Sequence, residues 1–145
     1  MDLVATIKDA WGWVGLNPVQ VVGDNSFGNL IVKDNDGRYW RLCPEDLTCT
    51  VVAQNRLELD ALSQQQEFLH HWNMAELVAQ ARSALGALRP GYKYSLKVPA
   101  PLGGEYSASN LATTPLQELV SLSGSLAKQT AGLPAGSKVR LVVTE

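Results

Sequence analysis

The chain has 145 residues, 46% hydrophobic and 18% charged, proportions that suit a folded globular domain with a core of ordinary size and exclude a disordered chain. A formal net charge of −2 makes the molecule as a whole a poor partner for nucleic acid, and no stretch is long and apolar enough to span a bilayer. Two cysteines, Cys43 and Cys49, are too few for a disulfide framework and lack zinc spacing, so free, partly buried thiols are expected.

The charge is unevenly spread. Residues 1–76 carry eleven acids and five bases, residues 77–145 three acids and seven bases. This reads either as two ordinary solvated faces or as an acidic surface suited to a basic partner. Met1-Asp2 is followed by neither a basic stretch nor a long apolar run, so no secretory signal is read and a cytoplasmic location is expected.

Asp2 can cap a first helix with Leu3, Val4, Ile7, Ala10, Trp11 and Val14 on one face, ended by Gly15. A short strand follows at Val19–Val22. The stretch Asn25–Asp46 then predicts a β-hairpin. Leu30–Lys33 and Tyr39–Leu42 alternate, and Asp34-Asn35-Asp36-Gly37 between them supplies the Asp-Gly that tight turns favour. A third arm, Thr48–Ala53, should pair antiparallel with Tyr39–Leu42. Arg56–Leu62 is open between a linker and a short helix. Ser63 with Gln66, and Asn73 with Glu76, have capping-box spacing and predict helices from Gln64 to about His71 and from Met74 to Leu88, the second stopped by Pro90-Gly91. Tyr92–Val98 alternates as a strand, Glu105–Ala112 is expected to be extended, and Thr114 should cap a helix from Pro115, its apolar face interrupted by Ser123-Gly124-Ser125. A closing strand is expected at Lys138–Val143. The fold class is α+β, a mostly antiparallel sheet with helices packed on one side, in a single domain over residues 1–145.

No motif for catalysis stands out. His70-His71 are adjacent on a helix, point different ways and cannot chelate one ion unaided, so surface residues at a helix end are the simpler reading. Asp34-Asn35-Asp36-Gly37 resembles the start of a calcium loop, but strands flank it, and the glycines at Gly28 and Gly103-Gly104 lack the density and lysine of a phosphate loop. No metal and no cofactor is expected. Trp11 and Trp13 lie about 200° apart on a helix, so one is a core residue and the other, Trp13, a candidate interface anchor.

The run Val21–Leu30, VVGDNSFGNL, and Asp36–Glu45, DGRYWRLCPE, together with Trp72, the Leu77–Ala81 helix, Leu102-Gly103-Gly104-Glu105-Tyr106, Asn110 and Leu133-Pro134-x-Gly136, resembles the C-terminal domain of type VI secretion immunity proteins that neutralise DNase effectors. The resemblance implies a protein that blocks a cognate toxin by occlusion, without chemistry of its own and without touching nucleic acid or membrane. Exposed carboxylates at the two ends of the hairpin are the expected toxin contacts: Asp34 and Asp36 at the turn, Glu45 and Asp46 at the other end, with Glu105 and Trp13 as further candidates. Two other classes stay open: a regulatory domain that binds a small molecule or nucleotide beside Gly103-Gly104, and an enzyme whose Asp, Glu or His residues meet only in the fold.

Overall fold

The computed structural model describes residues 2–133. Asp2 caps α1 (Leu3–Trp11), its Oδ1 accepting from the backbone of Val4 at 3.0 Å. A 3-10 turn, Gly12–Val14, carries the chain on to Gly15, whose φ of +99° ends it. Four strands follow as an antiparallel meander in sheet order β1-β2-β3-β4: β1 (Pro18–Asp24), β2 (Leu30–Asp34), β3 (Tyr39–Cys43) and β4 (Thr48–Ala53). Val32 pairs with Trp40 and Leu30 with Leu42, and β3 continues the register with Leu42 opposite Cys49. Thus the hairpin is where the alternation put it, and β4 has the expected bounds.

Three helices come next, α2 (Arg56–Leu62), α3 (Gln66–Asn73) and α4 (Ala75–Leu85). A second antiparallel pair, β5 (Tyr92–Leu96) and β6 (Leu111–Pro115), leads into α5 (Leu116–Thr130). The class is α+β as expected, but helices cover both faces of the four-stranded sheet. On one face Leu30, Val32, Trp40, Leu42 and Cys49 bury against Ile7 and Trp11 of α1 and Val120 and Ala127 of α5. On the other, Ile31 and Tyr39 pack with Leu59 of α2 and with Phe68 and Trp72 of α3. Period-2 alternation makes this possible, because it supplies two apolar faces when both sets of alternating positions hold large side chains. Full burial of each such side chain is worth about 1.5–3 kcal/mol. A third cluster, Phe27 with Ala81, Tyr94, Leu96 and Leu111, joins α4 to the β5–β6 pair.

Several boundaries differ from the sequence reading. Ser63 does not cap α3; its hydroxyl donates to the Asp60 carbonyl and closes α2. Asn73 does not cap α4 either, because Met74 turns left-handed (φ +48°) between α3 and α4. Gly86, at φ +84°, ends α4 before Pro90-Gly91 is reached. Strand β5 stops at Leu96, residues 108–110 form a 3-10 turn, and only Leu111 onward is extended. Thr114 bonds sideways to Ser95 at 2.8 Å, and α5 starts one residue after Pro115. Gly124, which seemed to weaken α5, lies where α1 crosses it: a Cβ there would stand 2.4 Å from the Ala10 carbonyl oxygen. The expected closing strand lies outside the described residues.

Candidate functional site

An open cleft of about 680 Å³ lies between the end of β3 and the α3–α4 corner. Its floor comes from β3 and from the 3-10 turn Pro44–Asp46, which Pro44 starts and left-handed Leu47 (φ +53°) ends. Arg41, Cys43, Glu45 and Asp46 lie on that side; His70, His71, Met74 and Glu76 come from the helices, and Tyr106 from the loop before β6.

The floor is organised by Asn29, which is fully buried. Its Nδ2 donates to both carboxylate oxygens of Glu45, at 2.8 and 2.9 Å. Its Oδ1 accepts from Arg41 Nη2 at 2.9 Å and from Cys43 Sγ at 3.0 Å. Asn25 holds the preceding turn closed, with its Oδ1 accepting from the backbone N–H groups of Phe27 and Asn29 while its Nδ2 donates to the Trp72 carbonyl. One short loop therefore fixes both the floor and the end of α3. Arg41 is held flat, 5.2 Å from the Trp72 ring centroid and 5.8 Å from that of Phe68, and also reaches the His71 carbonyl at 3.5 Å. Tyr106 donates its hydroxyl to Asp46 at 2.6 Å and ties the far loop to the floor.

Electrostatics follow from this burial. Glu45 is 5% exposed, and loss of water pushes its carboxyl up to about 7 against the opposing hydrogen bonds of Asn29, with the Asp46 charge adding to the rise. Burial, then the charge of Glu45, pushes the Cys43 thiol up to about 11. A thiol so placed stays protonated at neutral pH and is not the thiolate that a nucleophile needs. Cys43 and Cys49 are both free and buried. Cys43, Glu45 and Asp46 each offer a donor atom within 4.8 Å of the others, the one such group among the described residues. Asn29 already occupies the Glu45 oxygens and accepts from Cys43, so a cation would have to displace those bonds.

A family model described as T6SS immunity protein Tdi1, C-terminal, matches residues 53–127, just over half of the chain. The chain belongs to that family. The family's C-terminal immunity segment runs here from the last residue of β4 into α5. No curated protein matches the chain significantly. Among solved structures, the crystal structure of Atu4351 from Agrobacterium tumefaciens is similar at a TM-score of 0.57 and 15% identity, over 84% of this chain and 62% of that one. At that identity the likeness speaks for the fold alone, and the chain spans less than two thirds of the Atu4351 chain.

Against this frame the six candidate contacts divide. Asp34 is 1% exposed and Glu45 5%, so neither is the exposed turn carboxylate that the sequence suggested. Both turn inward because donors wait there: Trp40, Arg38 and backbone N–H groups for Asp34, Asn29 for Glu45. Asp36 is exposed at the turn, with Arg38 3.6 Å away. Asp46 is half-buried in the cleft; Glu105 is exposed and adjoins Tyr106. Trp13 remains partly exposed on the α1 side, stacked on buried Trp11 with ring centroids 6.0 Å apart. The structure brings Glu45 and Asp46 together in the cleft and leaves Asp34 and Asp36 at the opposite end of the hairpin. Asn29 and Arg41 lie in the two runs that carry the family resemblance, but neither is among the site residues expected from the sequence. Arg41 had a signal, since it alternates with Trp40 and so faces away from the main core; Asn29 had none, because its partners are 12 to 16 residues distant.

Proposed function

We propose that this chain is an immunity protein that binds a cognate secreted bacterial toxin and neutralises it by occlusion, acting as one immunity-like domain in the cytoplasm and doing no chemistry itself. The observation that carries this reading is membership of the type VI secretion immunity family. The acidic balance of residues 1–76 supports a basic partner, and a nuclease effector is basic where it holds phosphate. Asp36, Asp46, Glu105 and Trp13 are its candidate contacts, while Asp34 and Glu45 act from inside by shaping the two ends of the hairpin. Among the described residues, no helix is long and apolar enough to cross a membrane.

The test is co-expression with the toxin domain of a secreted effector found encoded beside this chain. Survival of the host, together with a stable complex of the two purified proteins, is the expected result; toxicity undiminished by the chain and no complex would overturn the reading. A second reading, as a small-molecule or nucleotide-binding regulatory domain, is favoured by the volume of the cleft, which lies in the range of ligand pockets. A thermal shift on adding nucleotides or metabolites, in the absence of any toxin, would move the assignment to it.

A further inference from the structure

Strands β5 and β6 are antiparallel neighbours, and such neighbours are normally joined by about two to five residues. Here residues 97–110 intervene, far more chain than the pairing requires, with only two 3-10 turns, Ala100–Leu102 and Ala108–Asn110. The loop is nevertheless fixed. Asn110 staples it, with Oδ1 accepting from the Val98 backbone N–H and Nδ2 donating to the carbonyls of Val98 and Glu105, each at 2.9 Å. Gly104 donates its N–H to the Pro99 carbonyl at 3.1 Å and passes so close to the Val98 carbonyl that no side chain fits there. Tyr106 then donates its hydroxyl to Asp46 at 2.6 Å and fastens the loop to the floor of the cleft.

Tyr106 is the residue that this scaffold holds out. Its side chain is 46% exposed, and it belongs to none of the three buried clusters among the described residues. Its ring lines the cleft, as do Met74 and Leu77 from the α3–α4 side. The polar groups of the floor are already paired with one another: Glu45, Arg41 and Cys43 with Asn29, and Asp46 with Tyr106 itself. What the cleft still offers a visitor is apolar contact. We infer that the loop 97–110 is the recognition element for the cognate effector, with Tyr106 the anchor against which an apolar side chain of a projecting effector segment packs. This deepens the immunity reading and rests on it. A tyrosine presents a large contact area with few rotatable bonds, and one already fastened at its hydroxyl has less freedom to lose on binding. Glu105 beside it and Glu76 across the rim are exposed, and neither forms an ion pair among the described residues. The fitting partner therefore carries basic residues around its apolar protrusion, an aromatic-centred contact with a charged rim.

The experiment uses the whole chain and the toxin domain of a secreted effector found encoded beside it. Affinity is measured by calorimetry for wild type, Tyr106→Ala, Tyr106→Phe and a control, Leu57→Ala, which removes an exposed leucine of α2. Thermal melts report folding. Tyr106→Ala should weaken binding about tenfold or more while staying folded, Tyr106→Phe less because it keeps the ring, and Leu57→Ala about twofold at most. A loss below about tenfold in folded Tyr106→Ala, or an equal loss in Leu57→Ala, overturns the inference and leaves the immunity reading standing. Hydrogen exchange of the wild-type complex tests the same surface without any variant. Slower exchange within residues 97–110 on binding is expected, and its absence overturns the inference even where Tyr106→Ala does not fold. If the wild-type chain does not bind the toxin domain, the immunity reading fails and the inference falls with it.

Discussion

Trp40 donates its indole N–H to Asp34 Oδ2 across 2.8 Å, and through that bond the turn of the hairpin is fastened to the core beneath it. The other carboxylate oxygen accepts from the backbone N–H groups of Asp36 and Arg38, both at 2.9 Å. Burial alone would raise the Asp34 carboxyl; these hydrogen bonds and the Arg38 charge outweigh it and hold the group below its ordinary value. Asp34→Ala leaves the Trp40 N–H and two backbone donors without an acceptor, and should cost about 3 kcal/mol in denaturant titration. With a depressed folded-state value, the contribution of Asp34 is fully present above 3.8 and is lost as pH falls through that lower value. Wild type and Asp34→Asn should therefore converge in stability only in strong acid; a constant difference down to pH 2 would refute the assignment.

Trp40 itself is 7% exposed and packs within the cluster shared by the sheet, α1 and α5. Trp40→Ala should cost about 3–5 kcal/mol. Trp40→Phe keeps most of the packing and gives up the bond to Asp34, for a loss of about 1–3 kcal/mol. An alanine variant within about 1 kcal/mol of wild type would remove Trp40 from the core.

Glu45 runs in the opposite sense. Its carboxyl sits at about 7 against an ordinary 4.5, so the folded state holds the proton more tightly than the unfolded chain. The favourable protonated form is fully available below 4.5, and stability is lost as pH rises through 7. The difference corresponds to about 3 kcal/mol at pH 8, as an upper figure. Glu45→Gln should thus raise the unfolding free energy at pH 8 and change it little at pH 4.5. Equal effects at both values would show that the carboxylate is not desolvated.

Gly124 marks the crossing of α1 and α5. Gly124→Ala gains about 1 kcal/mol of helix propensity, yet the new methyl meets the backbone of Ala10 at 2.4 Å and cannot be relieved by a rotamer change. A net loss of about 2 kcal/mol is expected in thermal unfolding, and a stabilised variant would mean that the two helices can separate without penalty.

Charge reversal distinguishes the two ends of the hairpin. Asp46→Lys with Glu105→Lys alters the cleft end, and Asp36→Lys alters the turn. Stopped-flow association with the toxin domain should slow about tenfold for the cleft pair at low salt, with the gap shrinking at moderate salt, and hardly change for the turn variant. If neither slows, contacts centred on Trp13 replace the acidic ones.

The meander was legible because its signals are local: alternation within five-residue arms and an Asp-Gly turn specify both strands and their register. The cap of α1 was legible for the same reason. The capping boxes misled because Ser63 and Asn73 sit between helices, where one residue can end the preceding helix or begin the next; Ser63 and left-handed Met74 settle both in favour of ending. The candidate site was harder still. Carboxylates beside turns normally face water, and only the fold reveals that Asp34 and Glu45 each have buried donors waiting. Asn29 becomes the centre of the cleft floor through residues 12, 14 and 16 positions away, a relation with no periodicity to betray it.

The segment that defines the family starts at residue 53, and the cleft straddles that boundary. His70, His71, Glu76 and Tyr106 lie inside the segment; Arg41, Cys43, Glu45 and Asp46 lie before it. Two relatives can therefore share every family-defining residue and still present different floors, since a few substitutions in one strand end and one turn change the polarity there without touching the helices opposite. The segment matched by the family and the floor of the cleft thus occupy separate parts of the chain, and the polarity of the floor can drift while the matched segment is held constant.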